Sequence, residues 1–404
     1  MYFILSWRNL WRNKKRTVIV GASIFFAVIL AVFMRSGQLG SYSYMIHSSA
    51  KLFTGYLQIQ GKDYWENRSL DYSIVIDDHQ RGKIDSLRYI TSATPRLESF
   101  ALISYKKLTK VSQVIGIDPG LEDRMNGLSD RVISGQYLDN GEEGILVAEG
   151  LAKMLKVNTG DSIIIYGQGY HGQIAAARLP VKGIVKLPFP EMNNALVYLS
   201  LQNAQEVYSA LGRVTSLSLM INDIRNLDEV LIEIRKIFGS DYNVMTWDEM
   251  MPELEQSIQM DNVSGIIMLA ILYIVIAFGV FGTVMMMTTE RTREFGILIS
   301  VGMKKSKLIA VTTIESIMIS FLGVIVGFLG SIPVIYYFYY NPIRLTGEMA
   351  RAYETLGIEA IMAFSVDPGI FLGQSVVVLI IALTTAMYPF LFINRLTVVE
   401  AITK

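Results

Sequence analysis

Four long apolar runs limit what this chain can fold into more than any other feature of its sequence. Three of them contain no charged residue, and the remaining one contains a single acid. A helix that crosses a bilayer needs roughly 17–25 predominantly apolar residues. Each run is therefore predicted to be a transmembrane helix, and the runs are Thr17–Met34, Val263–Thr289, Leu308–Tyr340 and Ile370–Phe392.

The distribution of basic residues predicts how these helices are oriented. Five Lys or Arg residues precede the first run and five more lie between the second and third runs, whereas the connection between the third and fourth contains only Arg344 and Arg351 among four acids. Loops rich in Lys and Arg stay on the cytoplasmic side. Both termini and the 290–307 connection are therefore predicted to be cytoplasmic. The first run is predicted to be retained, because it is longer than the ~7–15 residues of a signal-peptide core.

We predict an α-helical membrane protein with four transmembrane helices plus a mixed α+β extracytoplasmic domain inserted between the first and second spans. The predicted segments are a cytoplasmic amphipathic entry (1–16), the first span (17–36), the extracytoplasmic α+β domain (37–261), the second span (262–289), a cytoplasmic connection (290–307), the third span (308–340), an extracytoplasmic loop (341–369), the fourth span (370–393) and a cytoplasmic tail (394–404).

Short alternating or apolar runs predict the elements of the extracytoplasmic domain. A further helix is predicted over Trp247–Met260 and into the second span, which would either carry motion into the membrane or be the simplest way for a chain to enter a bilayer. Strands are predicted at Tyr56–Gln60, Val111–Ile117, Gly144–Val147, Ser162–Tyr166, Pro180–Val185 and Ala195–Leu199, and helices at Glu149–Leu155, Leu201–Ala210 and Leu227–Phe238.

Composition and motifs exclude several classes of function. The formal net charge is zero, which does not fit a nucleic-acid-binding protein, and the chain has no cysteine for a disulfide or a thiolate metal site. Its three histidines are far apart and are interpreted as scattered polar residues. No catalytic motif and no phosphate-binding G-x-x-x-x-G-K-[ST] loop is present. We therefore expect no bound cofactor, no metal and no enzymatic activity in this chain.

The connection between the second and third runs carries the most specific pattern. This connection fits a short amphipathic helix that ends near Gly302. The residues that form the pattern are Glu290, Arg291, Glu294, Phe295 and Leu298. An apolar helix face at the membrane surface needs a cover, which could be lipid headgroups or a protein partner.

This connection resembles the signature of the FtsX-type ABC permeases, the group that includes MacB-like and LolC/LolE-like proteins. The resemblance rests on Glu290-Arg-Thr-Arg-Glu-Phe-Gly-Ile-Leu-Ile-Ser-Val-Gly302 and covers almost the whole chain. The closing pattern departs from the family, because Thr397 or Val398 stands where many members have a second proline. Further similar stretches are Trp7–Arg12, Val114–Pro119, Ile145–Asp161, Tyr388–Pro389 and Thr397–Ala401.

The resemblance implies that residues 290–307 form a coupling helix that binds a separate ABC ATPase dimer, which uses ATP and Mg. It also implies mechanotransmission, in which ATPase closure is passed through the helices to the extracytoplasmic domain, and two permease copies or paralogues per complex. The residues that the resemblance assigns to ATPase coupling are Glu290, Arg291, Glu294, Phe295, Gly296, Leu298 and Gly302.

Four residues of the third run have candidate roles within the membrane. An intramembrane acid such as Glu315 is a functional candidate, but a structural role is favoured, as a carboxylate bonded between helices or to a basic group at the cytoplasmic end. Gly323 and Gly327 form a G-x-x-x-G pattern that allows a close helix approach, favoured within one subunit over dimerisation. Pro333 is predicted to kink the helix.

The leading functional hypothesis is a transporter subunit in the bacterial inner membrane that extracts lipoproteins, or another amphiphile, from the outer leaflet and passes them to a periplasmic acceptor. The alternatives are tripartite MacB-like efflux of peptides, toxins or antibiotics, and an FtsX-like relay that activates a cell-wall hydrolase. The size of the 37–261 segment argues against the relay. No nucleic-acid partner is expected.

Overall fold

The computed structural model describes residues 2–12, 14–355 and 359–396. The chain divides into two compact units. The helical unit comprises Met1–Ser43, Ser257–Arg344 and Ile361–Lys404, and the sheet unit comprises Tyr44–Gln256 and Leu345–Ala360. The predicted tail, including the closing pattern Thr397–Ala401, lies outside the described residues except for its first three positions.

The described residues contain sixteen α-helices. In chain order they are α1 (Tyr2–Arg12), α2 (Lys14–Leu52), α3 (Tyr64–Asn67), α4 (Asp78–Asp85), α5 (Pro119–Asn126), α6 (Glu149–Leu155), α7 (Pro190–Asn193), α8 (Leu201–Val207), α9 (Leu227–Phe238), α10 (Trp247–Met250), α11 (Pro252–Glu290), α12 (Thr292–Ser300), α13 (Lys305–Tyr340), α14 (Glu348–Thr355), α15 (Pro368–Thr385) and α16 (Tyr388–Arg395).

Four helical segments are long and apolar enough to cross a membrane. They coincide with the four runs found in the sequence, although each helix extends beyond its predicted span. Their bounds are Thr17–Leu52, Pro252–Glu290, Lys305–Tyr340 and Pro368–Arg395.

Helix α2 continues beyond the predicted end of the first span at residue 36 and reaches Leu52, because no proline or helix-ending glycine motif interrupts the sequence before Gly55. One helix predicted from the sequence is corrected by the structure. The continuous helix predicted from Trp247 is broken at Met251, whose backbone angles (φ −126°, ψ 61°) are not helical. Helical backbone angles are disfavoured for a residue that precedes a proline, and Met251 precedes Pro252. Helix α11 therefore begins after this break, with Pro252 in its first turn.

The glycines of the predicted G-x-x-x-G pattern pack α13 against α2 of the same chain. A Cβ atom on Gly323 would lie 2.9 Å from Ile24 Cβ, and one on Gly327 would lie 2.8 Å from Val28 Cβ. Real side chains avoid such distances, so these positions require glycine for the two helices to approach closely. Pro333 lies inside α13, which remains one helix through it from Lys305 to Tyr340.

Ten strands of the sheet unit form one mixed sheet in the order β10-β1-β9-β2-β3-β8-β5-β7-β4, with β6 pairing with both β2 and β7. This double pairing closes six strands (β2, β3, β8, β5, β7 and β6) into a ring around an apolar core. The strands are β1 (Leu57–Gly61), β2 (Ile90–Tyr105), β3 (Leu108–Ile117), β4 (Val132–Gly135), β5 (Ile145–Ala148), β6 (Ser162–Gln168), β7 (Ile174–Val185), β8 (Leu196–Ser200), β9 (Ser216–Ile221) and β10 (Tyr242–Thr246).

The predicted 341–369 loop contains regular secondary structure among its described residues. It contains α14 and a two-stranded sheet of β11 (Ile343–Arg344) and β12 (Ile361–Met362). Its middle part, Leu345–Ala360, belongs to the sheet unit, where the Tyr44 hydroxyl donates a hydrogen bond to Glu359 Oε2 at 3.2 Å.

Candidate coupling site

Helix α12 is a short helix held between two of the long helices. It begins at Thr292, directly after Arg291, and it ends in a glycine motif. The Met303 N–H donates to the Leu298 carbonyl and the Gly302 N–H donates to the Ile299 carbonyl, both at 3.0 Å. These two bonds and a positive φ of +102° at Gly302 form a Schellman motif, which stops the helix and turns the chain into α13.

The inward face of α12 is formed by residues spaced four apart. Arg291 and Phe295 are buried, Gly296 beside them is also buried, and Ile299 is partly buried. Phe295 is only 1% exposed and belongs to an apolar cluster with Leu308 of α13 and with Ile393 and Leu396 at the end of α16. The side chain of Phe295, which the resemblance assigns to ATPase coupling, therefore packs inside its own unit, and its part in coupling stays a prediction.

A buried ion pair joins the start of α12 to α13. The Arg291 Nη1 atom lies 2.8 Å from Glu315 Oε2, and the side chains of Arg291 and Glu315 are 6% and 3% exposed. Arg291 also lies 3.4 Å from Glu294 Oε2 and 5.3 Å from the centroid of the Phe295 ring. Glu315 therefore holds two helices together through Arg291, and Arg291 is not available as a surface contact.

The outward face of α12 and its turn is apolar and exposed. Ile297 is 50% exposed, Leu298 39%, Val301 82% and Met303 36%. Large apolar side chains this exposed and this close together in the chain need a cover, in lipid or in a protein partner. The side chain of Glu294, on the same helix, is 49% exposed and can meet a partner beside this apolar strip.

A groove of about 770 Å³ lies along the other side of α12, next to α16. It is lined by residues of both helices, among them Arg293 and Arg395. Beside the groove, just after the last turn of α16, the Lys305 Nζ atom donates a hydrogen bond to the carbonyl oxygen of Leu396 at 2.6 Å. An ammonium group is favourable at a helix C-terminus, so this contact fixes the groove wall to α13.

The structure thus divides the seven predicted coupling residues into two sets. Arg291, Phe295 and Gly296 are buried and hold α12 in place, whereas Glu290, Glu294, Leu298 and Gly302 are exposed. Val301 and Met303 were missed as surface residues, although a helix with an inward stripe at 291, 295 and 299 places 297 and 301 on the opposite side.

The chain matches two family profiles. The profile described as FtsX-like permease C-terminal matches residues 266–398, and the profile described as MacB-like periplasmic core domain matches residues 17–237. The first match includes the whole candidate coupling site, and the second includes most of the sheet unit.

Curated relatives carry the names of transporter components. "Lipoprotein-releasing system transmembrane protein LolC" of Xylella fastidiosa is 24% identical over 250 residues, which are 60% of this chain and 60% of the relative. "Probable export ATP-binding/permease protein MacB" of Pseudomonas entomophila is 22% identical over 342 residues, which are 80% of this chain and 50% of the relative. The matched part of this chain thus spans only half to three fifths of the length of these relatives.

Among solved structures, the periplasmic region of MacB from Actinobacillus actinomycetemcomitans matches 51% of this chain and 94% of its own length, with 15% identity and a TM-score of 0.36.

Four helices of membrane-spanning length and a mixed sheet with a MacB-type profile define the class of permeases with a large soluble domain. Since the MacB-like profile alone covers more than half of the chain, the chain belongs to the family of ABC transporter permeases with FtsX-like and MacB-like domains.

Proposed function

We propose that this chain is the permease subunit of an ATP-driven transporter and that a separate ABC ATPase binds the outward face of α12. The observation that supports this most strongly is an exposed apolar strip, formed by Ile297, Leu298 and Val301, on a helix whose opposite face is locked in place. An apolar patch with charged neighbours is typical of a protein docking site.

The packing behind the strip suits the transmission of a displacement. The buried Arg291–Glu315 ion pair and the Phe295 cluster connect α12 to α13 and α16. A partner that pushes on the outward face therefore moves α13 with it, since a close-packed interior has little free volume to absorb the motion. Through α13 the displacement reaches the glycine stripe against α2.

The topology belongs to the same proposal. The Lys and Arg residues around α12 and around the start of α2 support a cytoplasmic location for both. The sheet unit is then proposed to lie in the periplasm of a bacterium and the four long helices in the inner membrane. The complex would contain two permease subunits, as copies or paralogues, and the ATP and Mg would be bound by the ATPase.

The cargo is proposed to be a lipoprotein or another amphiphile taken from the outer leaflet. The name of the LolC relative supports this class of cargo. Export of a peptide, toxin or antibiotic is the second candidate, because the MacB relative matches a larger share of this chain, 80% against 60%.

Co-purification of the co-expressed cognate ATPase tests the docking face. Val301→Asp places a charge at an 82% exposed position, so it should reduce ATPase recovery about tenfold while the melting temperature of the permease stays unchanged. Ser306→Asp is the matched control, because it adds the same charge at an exposed position outside the apolar strip. Equal ATPase recovery with both variants would show that the strip is not the docking face.

A release assay distinguishes the two cargo classes. The permease and its ATPase are reconstituted in liposomes that contain a triacylated lipoprotein, and ATP-dependent transfer to a soluble acceptor is measured. Transfer supports lipoprotein release, whereas ATPase activity that is stimulated by a peptide or antibiotic and not by the lipoprotein supports efflux.

A further inference from the structure

A cavity of about 660 Å³ in the sheet unit is lined by cationic side chains from three separate segments. Lys51 comes from the end of α2, Arg81 from α4 and Arg124 from α5, while Asp85 is the one acid among the lining residues. These segments are distant in sequence and meet only in the folded unit. The lining therefore has a net positive charge in a chain whose formal net charge is zero.

The three cations have no carboxylate partner among the described ion pairs of the protein. The Arg124 Nε atom donates to a backbone carbonyl, that of Gly120, at 3.3 Å. Arg96 is a contrast, because it lies further along β2, a strand that also lines the cavity, and is paired with Glu122 at 2.6 Å. A fold that pairs its buried arginine but leaves three cations around one cavity concentrates positive potential there.

The rest of the lining fits a ligand that has both anionic and apolar parts. The floor contains buried apolar side chains, Met125, Met220 and Ile221. Ser92 also lines the cavity, and its hydroxyl has no hydrogen-bond partner within the part of the chain that the structure describes. A hydroxyl can donate to an anionic oxygen, which would satisfy a group that is otherwise costly to bury.

We propose that this cavity is a binding site for a phosphate-bearing anion. Two guanidinium groups favour phosphate over a simple halide, because each can donate two parallel hydrogen bonds to phosphate oxygens. The volume lies within the range of ordinary ligand pockets and is large enough for a phosphate with a substituent attached. The phosphate belongs either to a free anion or to the headgroup of an anionic amphiphile. The proposal does not depend on the docking face of α12.

The test measures binding to the full chain in a neutral detergent by calorimetry. Inorganic pyrophosphate represents the free anion, and dihexanoyl phosphatidylglycerol represents the headgroup, with dihexanoyl phosphatidylcholine as its zwitterionic control. Arg81→Gln and Arg124→Gln should each weaken binding of the anionic ligand about tenfold, as expected for the loss of a charge-assisted hydrogen bond. Arg178→Gln removes an arginine of the same unit outside the cavity, and it should leave affinity unchanged.

The pattern of binding identifies the source of the phosphate. Pyrophosphate binding without binding of the glycerol lipid supports a free anion, whereas phosphatidylglycerol binding that exceeds phosphatidylcholine binding supports a headgroup. Absence of binding by both anionic ligands overturns the proposal, and so does an equal loss of affinity with Arg178→Gln.

A second measurement covers the case in which an arginine variant is unstable. The chain has no cysteine, so Asn222→Cys places a single thiol at the cavity lining. An anionic thiol reagent should react with it several-fold faster than a cationic reagent of the same size, and pyrophosphate or phosphatidylglycerol should slow the reaction. The reverse order of rates would overturn the proposal, since it would show that the cavity is not positive.

Discussion

Removing one member of the Arg291–Glu315 pair should destabilise the helical unit strongly. Both side chains are almost fully buried, so Arg291→Met leaves a buried carboxylate and Glu315→Met leaves a buried guanidinium. Breaking a buried pair in this way costs about 3–5 kcal/mol. The cost of Glu315→Met should lie near the lower end of this range, because Arg291 still has the half-exposed carboxylate of Glu294 at 3.4 Å as a partner. The double variant should lose much less stability than the two single losses added together, since two apolar residues can replace a buried ion pair at little cost.

A double-mutant cycle measures this coupling. The free energy of unfolding of the full chain is determined in mixed micelles for the wild type, both single variants and the double variant. The coupling energy should be at least about 3 kcal/mol, the upper end of the usual range. Glu294→Met is the control, and it should cost less than about 1 kcal/mol because its carboxylate is exposed. Additive single effects, or single effects below about 1 kcal/mol, would refute the claim that the pair holds α12 to α13.

Three further predictions test the rest of the structure. Phe295→Ala should lower the free energy of unfolding by about 3–5 kcal/mol in the same micelles, because it empties a position that is 1% exposed; a loss of ATPase binding with unchanged stability would contradict this. Gly327→Val should force α13 away from Val28 and lower the melting temperature by several degrees, measured by scanning fluorimetry; unchanged melting would show that the helices are not in contact. Single cysteines at Ser240 and Ser300 test the proposed topology: an impermeant thiol reagent should label the first but not the second in intact spheroplasts, and the reverse would invert the orientation.

The parts of the fold that follow from local sequence were predictable. The helices Glu149–Leu155 and Leu227–Phe238 have the predicted bounds, and the six predicted strands lie within a few residues of their observed positions. Strand β2 was missed, since Pro95, Arg96 and Glu98 interrupt its apolar pattern. A charged residue such as Arg96 can be buried in this strand only because it pairs with a residue distant in the sequence, Glu122. A pattern read within a short window cannot include such partners.

In the candidate coupling site too, some features follow from the local sequence and others depend on residues distant in the chain. The existence of α12 and its end at Gly302 follow from amphipathic spacing and from the tolerance of glycine for a positive φ. The direction in which the helix faces does not follow from its own residues. Arg291 points inward because Glu315, 24 positions further along the chain, supplies a buried carboxylate. The residues of α12 alone therefore do not show that Arg291 and Phe295 both lie in the interior.

The order of strands in the sheet has a consequence for how the protein is made. Strand β1 pairs on one side with β9 and on the other with β10, and about 180 residues separate Gly61 from Tyr242 along the chain. A ribosome adds about 5–20 residues per second, so β1 waits roughly 10–35 s for its last neighbour to be synthesised. During that interval the backbone groups on the side of β1 that faces β10 have no strand to pair with. Because β10 ends only six residues before α11 begins, the sheet can be completed only when the second long apolar helix is about to emerge.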